Sequence, residues 1–268
     1  MNNIKFSIIT ICYNSEATVE RTIQSVLAQS YNNYEYIVID GVSTDKTLSI
    51  VKKYEPLFEG RMKWISEPDN GIYDAMNKGV IASSGDIIGI VNSDDWLERD
   101  ALETIFNCYI NNGCSLESLY CGWICFHYLN GDIQVMKTNH NKLEQLSRRY
   151  EMGGIRHPAV FVPKNIYNQY GIFDDKMKVM ADTDLILRYY FANVKFCYPE
   201  KVVSNMSDGG VSNKYLLKAY NDHRLILRKY KMNTLKFHRL LYMWKLKRII
   251  KSLIPTKFLF FYRSLSKA

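Results

Sequence analysis

Acidic residues follow three of the four strands predicted in the first 95 residues, and Tyr13 with Asn14 follows the other. These acids are Asp40, Glu67, Asp69, Asp94 and Asp95. Parallel strands end at one edge of a sheet, where ligands bind, so the side chains should lie close together. Crowded carboxylates repel one another and raise each other's pKa, which favours a site where a divalent cation or hydrogen-bond donors neutralise them.

Each acid also has a plain structural interpretation. Asp40 and Asp45 lie in Asp-Gly and Ser-Thr-Asp connectors, which are ordinary strand-to-helix turns and helix caps. Asp94 and Asp95 could belong to a solvated loop before Trp96. The functional interpretation is favoured because chance seldom places acids at successive strand ends of one sheet.

Alternating strands and helices must position these side chains. The apolar run at 6–12 predicts a strand buried on both faces, and apolar residues at i, i+4, i+7 and i+8 predict a helix over 17–29. Further strands are predicted at 34–39, 62–66 and 87–91, with helices at 47–54 and 73–82. This alternation is typical of an α/β fold with right-handed crossovers, a Rossmann-like half built on a parallel sheet.

The regular alternation of strands and helices ends after Asp95. Residues 119–129 and 132–136 flank Asn130-Gly131, a pair that favours the type I′ turn of a β-hairpin. The second half is therefore predicted to be mixed α+β.

Several protein classes are disfavoured. The chain has neither G-x-G-x-x-G nor G-x-x-x-x-G-K-[ST], so dinucleotide-dependent dehydrogenases and P-loop NTPases do not fit. Six cysteines without a C-x-x-C pair, and no signal-peptide pattern, predict reduced thiols in a cytosolic protein. A diphosphate would then be held by a metal at Asp94 and Asp95, and Mg²⁺ or Mn²⁺ suits carboxylates plus substrate phosphates.

The charge is divided unevenly along the chain. Residues 214–268 hold fifteen Lys or Arg and one acid, a formal +14, which leaves −6 for residues 1–213. Basic residues alternate there with Leu, Ile, Tyr, Phe and Trp244, a pattern typical of helices at anionic lipid surfaces. Packing on the body, or on a second copy as a homodimer through these C-terminal helices, is the alternative. Nucleic-acid binding is disfavoured because the rest of the chain is acidic.

Four runs of the chain carry a family resemblance. They are Phe6-Ser-Ile-Ile-Thr-Ile-Cys-Tyr-Asn14, Tyr36-Ile-Val-Ile-Asp40-Gly-Val-Ser-Thr-Asp45, Glu67-Pro-Asp-Asn-Gly-Ile-Tyr-Asp-Ala-Met-Asn77-Lys-Gly79 and Asn92-Ser-Asp-Asp95. Together they resemble the large inverting glycosyltransferase family 2, which has the GT-A fold. The resemblance implies a GT-A domain over 1–213, with a nucleotide-sugar-binding half at 1–110 and an acceptor half at 111–213, followed by basic helices at 214–268.

The resemblance also implies roles for particular residues. Thr10, Tyr13 and Asn14 would line the base and ribose, and Asp40 would bind a pyrimidine edge, with Ser43 in the same loop. Asp69 and Asn77 fall in the stretch that closes over the donor. His157 would lie near the acceptor and the diphosphate, with a structural histidine as the alternative, and Gly210 would lie in a flexible loop over the donor. Asp94 and Asp95 match the metal-binding D-x-D-type motif for Mn²⁺ or Mg²⁺. The chain departs from the family at Asn92, where many relatives have Asp.

The catalytic base is expected at the start of a helix. Within Met180-Ala-Asp-Thr-Asp-Leu-Ile-Leu-Arg188, Asp182 matches the position of the family's base. Relatives often have an acid where this chain has Ala181, so the choice between Asp182 and Asp184 stays open, and a helix N-cap is the structural alternative. A carboxylate placed to take the acceptor hydroxyl's proton would lower the barrier to sugar transfer.

The expected protein is an inverting glycosyltransferase. It would move a sugar from a nucleotide sugar, UDP-sugars favoured, to a hydroxyl of a glycan or lipid-linked acceptor in bacterial capsule, exopolysaccharide or lipopolysaccharide synthesis. The expected location is cytoplasmic, peripheral on the inner face of the cell membrane. A nucleotidyltransferase, or a non-catalytic nucleotide- or lipid-surface-binding protein, is the alternative.

Overall fold

Two sheets and eight α-helices build the described part of the chain. The computed structural model describes residues 4–149, 155–208 and 216–232, without the side chains of 142, 146–149, 216 and 217. The elements in chain order are β1 Phe6–Cys12, α1 Val19–Leu27, β2 Tyr34–Asp40, α2 Thr47–Tyr54, β3 Met62–Ser66, α3 Ile72–Ala82, β4 Ile87–Ile90, β5 Trp96–Leu97, α4 Ala101–Asn111, β6 Ser118–Cys121, β7 Trp123–His127, β8 Ile133–Met136, α5 His140–Arg149, β9 Val160–Pro163, α6 Lys164–Tyr170, α7 Ala181–Phe191, β10 Lys195–Cys197, β11 Val202–Ser207 and α8 Leu216–Lys229.

The larger sheet has the order β10-β6-β9-β4-β1-β2-β3. Strands β1 to β4 pair in parallel, β1 lying between β2 and β4 and β2 pairing with β3. Every residue of β1 and β2 is buried, as expected for strands covered on both faces. The predicted α/β half is confirmed, and the carboxyl ends of β1 to β4 meet at one edge.

Strand β9 inserts antiparallel between β4 and β6, which turns the parallel half into a mixed sheet. A smaller sheet, in the order β5-β11-β7-β8, stands beside it. In this sheet β11 pairs with both β5 and β7, so its end at Ser207 lies next to the loop that follows β4. The mixed second half is confirmed.

The predicted long strand at 119–129 is wrong, because the structure divides it at Gly122 into β6 and β7, which belong to different sheets. A Cβ atom at Gly122 would lie 2.3 Å from Cγ2 of Val203, so only glycine lets β11 pass so closely. The hairpin itself is confirmed, since β7 pairs antiparallel with β8 around the Asn130-Gly131 turn.

The chain divides into two compact units, Met1–His223 and Arg224–Ala268. Helix α8 begins in the first unit. The predicted domain boundary after residue 213 stays a prediction, because residues 209–215 lie outside the described ranges, as does most of the basic segment. None of the described helices is both long and apolar enough to cross a membrane.

Candidate active site

The loop between β4 and β5 carries the two adjacent acids. Asp95 is 1% exposed. Its Oδ1 accepts a hydrogen bond from the backbone N–H of Ser207 (3.1 Å), and its Oδ2 accepts one from Nδ2 of Asn92 (3.1 Å). Burial, and then the charge of Asp94, raise the pKa of Asp95 to about 7. A bound cation would offset the cost of keeping this buried carboxylate charged.

Helix α1 fixes the backbone of this acid loop. Nη2 of Arg21 donates to the carbonyl of Asp94 (2.6 Å) and to Oγ of Ser207 (3.0 Å), while its guanidinium lies 3.7 Å from the ring centroid of Trp96. The hydroxyl of Thr22 donates to the carbonyl of Asp95 (2.6 Å). Neither role was predicted from the sequence, since both depend on how α1 lies against the loop.

The acid loop fits a divalent cation whose other ligands come from a substrate. No three His, Cys, Asp or Glu side chains of the described residues are grouped so as to hold a metal by themselves. Two neighbouring carboxylates are nevertheless sufficient for Mg²⁺ or Mn²⁺ when phosphate oxygens and water complete the coordination. The observation that supports this fit is that Asp95 is buried and next to Asp94, and that both burial and the charge of Asp94 raise its pKa.

The candidate base lies in the first turn of α7. The Asp182 side chain is 26% exposed, and its Oδ1 accepts hydrogen bonds from the backbone N–H of Thr183 (2.7 Å) and the hydroxyl of Tyr73 (3.4 Å). Burial would raise the pKa of Asp182, but hydrogen bonding and charge from His157, with the Thr183 amide, outweigh it and lower the pKa. Met180 occupies the N-cap position, so Asp182 is not the helix cap.

Asp184, the other acid in the first turn of α7, is buried and paired within the protein. Asp184 is fully buried, and its Oδ2 accepts a hydrogen bond from Nη2 of Arg188 at 2.9 Å. Nη1 of the same arginine donates to the carbonyls of Tyr170 (3.2 Å) and Ile172 (2.8 Å). An acceptor hydroxyl cannot reach this carboxylate without disrupting a buried ion pair, so the geometry favours Asp182 as the base.

His157 lies between the acid loop and the candidate base. Its Nε2 is 3.4 Å from Oδ1 of Asn92, and its Nδ1 is 3.6 Å from Oδ2 of Asp182. Because Asn92 also donates to Asp95, a continuous chain of polar contacts runs from Asp95 to Asp182. The asparagine that departs from the family pattern therefore joins the two parts of the site.

The loops after β1, β2 and β3 form a second wall of the candidate site, beside the acid loop. The Tyr13 ring is 62% exposed, and a Cβ atom at Gly41 would lie 3.5 Å from it and 2.4 Å from Oδ2 of Asp69. The backbone N–H of Asn14 donates to Oγ of Ser43 (2.9 Å). The predicted residues Tyr13, Asn14, Ser43 and Asp69 are thus brought together, and an exposed aromatic ring is available to a nucleotide base.

This wall connects to the acid loop through two hydroxyl groups. Oγ of Ser15 lies 2.8 Å from Oγ of Ser93, the residue before Asp94. The strand ends of β1 and β4 are therefore neighbours, as the parallel sheet predicts.

Three predicted donor-binding residues point elsewhere in the structure. Thr10 is fully buried and accepts a hydrogen bond from the hydroxyl of Tyr36 (3.0 Å). Asp40, also fully buried, accepts hydrogen bonds from the hydroxyls of Ser43 (2.5 Å) and Ser66 (2.6 Å). These contacts organise the β2 loop beneath the surface, so direct contact of Thr10 or Asp40 with a base is not what the geometry supports.

The third of these residues, Asn77, binds a distant backbone. Its Nδ2 donates to the carbonyl of Phe173 and its Oδ1 accepts from the N–H of the same residue, both at 3.0 Å. Its polar atoms are therefore engaged within the protein. Gly210 lies outside the described residues, and Asp45 accepts hydrogen bonds from the amides of Glu16 and Thr47, the turn role named as its alternative.

A separate cavity of about 270 Å³ lies at the opposite edge of the larger sheet, near the amino ends of β1 to β3. Its acid, Glu35, already pairs with Lys5 and Lys63 and accepts a hydrogen bond from the hydroxyl of Ser7. This cavity is remote from the acid loop, and its charges are paired within the protein.

Comparisons with known proteins find a matching family and similar folds. Residues 7–159 match the family described as glycosyl transferase family 2. A PGL/p-HBAD biosynthesis glycosyltransferase of Mycobacterium tuberculosis is 28% identical over 221 residues, which is 80% of this chain and 82% of that protein. The glycosyltransferase GlyA of Streptococcus pneumoniae is 32% identical over 102 residues, 38% of this chain and 14% of that protein.

Solved structures show the same fold. S. aureus TarS matches with a TM-score of 0.64 at 20% identity, over 84% of this chain and 39% of the TarS chain. TarS 1-349 in complex with UDP-GlcNAc matches with a TM-score of 0.60 at 22% identity, over 77% of this chain and 59% of that one. This chain thus spans less than two thirds of both TarS chains, and the predicted GT-A fold is confirmed.

Proposed function

The chain belongs to glycosyltransferase family 2, and from this membership we propose that it transfers a sugar, with inversion, from a nucleotide sugar to a hydroxyl of a glycan or lipid-linked acceptor. The observation that supports this best is the run of polar contacts from Asp95 through Asn92 and His157 to Asp182. These contacts bring Asp95 close to Asp182, which supports our proposal that Asp94 and Asp95 bind a cation and that Asp182 is the base.

We propose a uridine diphosphate sugar as the donor. TarS 1-349, which has the same fold, has been crystallised in complex with UDP and with UDP-GlcNAc. In this chain the exposed Tyr13 ring, close to Gly41 and Asp69, offers a face for a base to stack on.

The reaction needs one proton acceptor and a means of stabilising the leaving group. Asp182 takes the proton of the acceptor hydroxyl while the oxygen bonds to the anomeric carbon, and the bond to the diphosphate breaks with its electron pair leaving on the diphosphate. Attack opposite the leaving group inverts the anomeric centre. Asp94 and Asp95 would hold Mn²⁺ or Mg²⁺, which when bound supplies Lewis-acid stabilisation of the diphosphate charge.

The protein around these groups keeps them in place. Arg21 and Thr22 hold the backbone carbonyls of the acid loop, while Tyr73 and the Thr183 amide orient Asp182. Such preorganisation allows charge to develop in the transition state without rearrangement of the site.

A product analysis tests this function against its alternatives. The purified chain is incubated with UDP-sugars, Mn²⁺ and candidate acceptors, and both nucleotide and sugar products are identified. We expect UDP release and a glycosylated acceptor of inverted configuration. A nucleotidylated acceptor would identify a nucleotidyltransferase, and binding without any turnover would identify a non-catalytic protein.

Tyr13→Ala should weaken UDP binding by about tenfold or more, because stacking of a base on an aromatic ring contributes about 1–3 kcal/mol. Tyr13→Phe keeps the ring and should bind like the wild type. Calorimetric titration with UDP in the presence of Mn²⁺ measures both. Equal affinities for the Ala and Phe variants would remove Tyr13 from the base site.

We also propose that the basic segment 214–268 associates peripherally with anionic membranes on the cytoplasmic face, where a lipid-linked acceptor of cell-surface polysaccharide synthesis would lie. Its +14 charge and interleaved aromatic residues support this. Deleting residues 236–268 should reduce the fraction bound to phosphatidylglycerol vesicles at least about tenfold, since each basic residue near such a surface contributes about 1 kcal/mol. Unchanged partition would contradict membrane binding by this segment and leave packing on the body or homodimerisation as its interpretation.

A further inference from the structure

The one acid in the basic segment is buried in the first compact unit. Asp222, on α8, is 4% exposed. Its Oδ2 accepts hydrogen bonds from three consecutive backbone N–H groups, those of Lys178 (2.8 Å), Val179 (2.7 Å) and Met180 (3.2 Å). All the other charged residues of 214–268 are basic, so this carboxylate stands apart from its sequence surroundings.

The three amides lie at the entrance to α7. Met180 is the N-cap residue of that helix, and its carbonyl accepts the hydrogen bond from the N–H of Asp184. The amide of Met180 belongs to the helix end, whose first amides have no partner within the helix, and the amides of Lys178 and Val179 precede it. A carboxylate placed there satisfies all three and interacts favourably with the helix dipole. Asp222 therefore holds, from another helix, the segment that leads into α7, whose N-cap residue makes no side-chain capping hydrogen bond of its own.

The candidate base, Asp182, follows this hydrogen-bonded segment by two residues. Val179 and Met180 are buried, and Ala181 is fully buried, so the backbone leading to Asp182 is enclosed as well as hydrogen-bonded. On the other side, Tyr73 reaches Asp182 and stacks on Phe173 with ring centroids 5.8 Å apart. Asp182 is thus positioned between contacts from α3 and a backbone turn held by α8.

The residue beside Asp222 adds no positive charge at neutral pH. Burial lowers the pKa of His223 to about 4, although the charges of Asp222 and Asp182 act to raise it. The charge-assisted contacts of Asp222 are therefore with the three amides, where an ionised acceptor makes hydrogen bonds about twice as strong as a neutral one does.

We propose that Asp222 is a positioning residue for sugar transfer, fixing the start of α7 so that the Asp182 carboxylate faces the acceptor hydroxyl. The inference rests on the proposed role of Asp182 as the base. Asp222 touches no reacting atom. A purely structural anchor would affect only how much protein is folded, whereas a positioning residue changes the turnover of the folded enzyme.

The experiment compares Asp222→Asn and Asp222→Ala with Asn221→Ala, an exposed neighbour on the same helix. Turnover is measured under conditions in which each variant is fully folded by circular dichroism. A displacement of about 1 Å in a catalytic group can cost about 10²-fold, so we expect kcat to fall about 10²-fold for the Ala variant and about tenfold for the near-isosteric Asn variant. The KM for the donor and the rates of Asn221→Ala should stay within about twofold of the wild type.

Amide hydrogen exchange tests the hydrogen bonds of Asp222 independently of activity. The amides of Lys178, Val179 and Met180 should exchange faster in both Asp222 variants, while amides of β1 and β2 keep their protection. If the folded Asn variant turns over at the wild-type rate, or if kcat and donor KM change together, the positioning role is wrong. Asp182→Asn separates the two claims: normal turnover in that variant removes the proposed base, whereas an inactive Asp182→Asn beside fully active Asp222 variants removes only this inference.

Discussion

Asp182→Asn should reduce kcat for sugar transfer by about 10²–10⁴-fold, the contribution expected of a general base, and leave UDP affinity within about twofold of the wild type. The amide keeps the shape of the side chain and can still accept from the Thr183 amide, so the fold should be preserved. It cannot take a proton from the acceptor. Single-turnover transfer and calorimetric titration with UDP measure the two quantities separately.

A matched control is available nearby. Asp175 is exposed and precedes the same helix, and Asp175→Asn should turn over like the wild type. If Asp182→Asn transfers sugar as fast as this control, Asp182 has no part in the chemistry. Loss of UDP binding together with turnover would instead indicate a role in the donor site.

The pH profile gives a second test of the same residue. Contacts with His157 and the Thr183 amide hold the pKa of Asp182 below its usual value of 3.8, in spite of burial. A carboxylate with a lowered pKa is ionised throughout the neutral range, and it loses its charge only as the pH falls below that usual value. The loss of activity due to Asp182 should therefore appear only in strongly acidic solution, and Asp182→Asn should lack it.

Asp95→Asn should lower donor turnover by about 10³-fold, because a bound cation contributes several kcal/mol of charge stabilisation in the transition state. The same substitution should not destabilise the metal-free protein, since it replaces a carboxyl group whose pKa is raised by burial and by the charge of Asp94. We expect a metal-free Tm at least equal to that of the wild type, together with loss of Mn²⁺-dependent donor hydrolysis.

Asp100→Asn serves as the control for this variant. Asp100 lies in the same region of the chain, its side chain is 40% exposed, and it pairs with Lys201. It should retain Mn²⁺-dependent turnover. Equal turnover of Asp95→Asn and Asp100→Asn would exclude Asp95 as a metal ligand.

Much of the parallel α/β half could be predicted because its signals are local. The apolar run of β1 predicted its observed bounds, Phe6–Cys12, and the repeating alternation of strand and helix predicted α2 near its observed bounds, Thr47–Tyr54. The rule that parallel strands end at one edge of a sheet then predicted that Asp94 and Asp95 lie at that edge. By contrast, the division of the predicted strand 119–129 at Gly122 depends on the close approach of Val203, about 80 residues later in the chain. No local sequence pattern contains such a contact.

Side-chain direction was the part of the site that the sequence could not predict. Asp40 and Asn77 lie at suitable positions along the chain, but hydroxyls of the β2 loop and the backbone of Phe173 turn them inward. Arg21 had no signal beyond its place on a helix. Asp222 did have one, because a lone acid within a strongly basic segment suggests a buried partner.

The most direct test of whether Asp94 and Asp95 bind a cation that holds the diphosphate is calorimetric titration of the wild-type chain with UDP. The titration is done once in the presence of Mn²⁺ and once in the presence of EDTA. We expect Mn²⁺ to tighten UDP binding at least about tenfold, corresponding to about 1.4 kcal/mol, and we expect this gain to disappear in Asp95→Asn. Equal UDP affinity with Mn²⁺ and with EDTA would contradict this expectation.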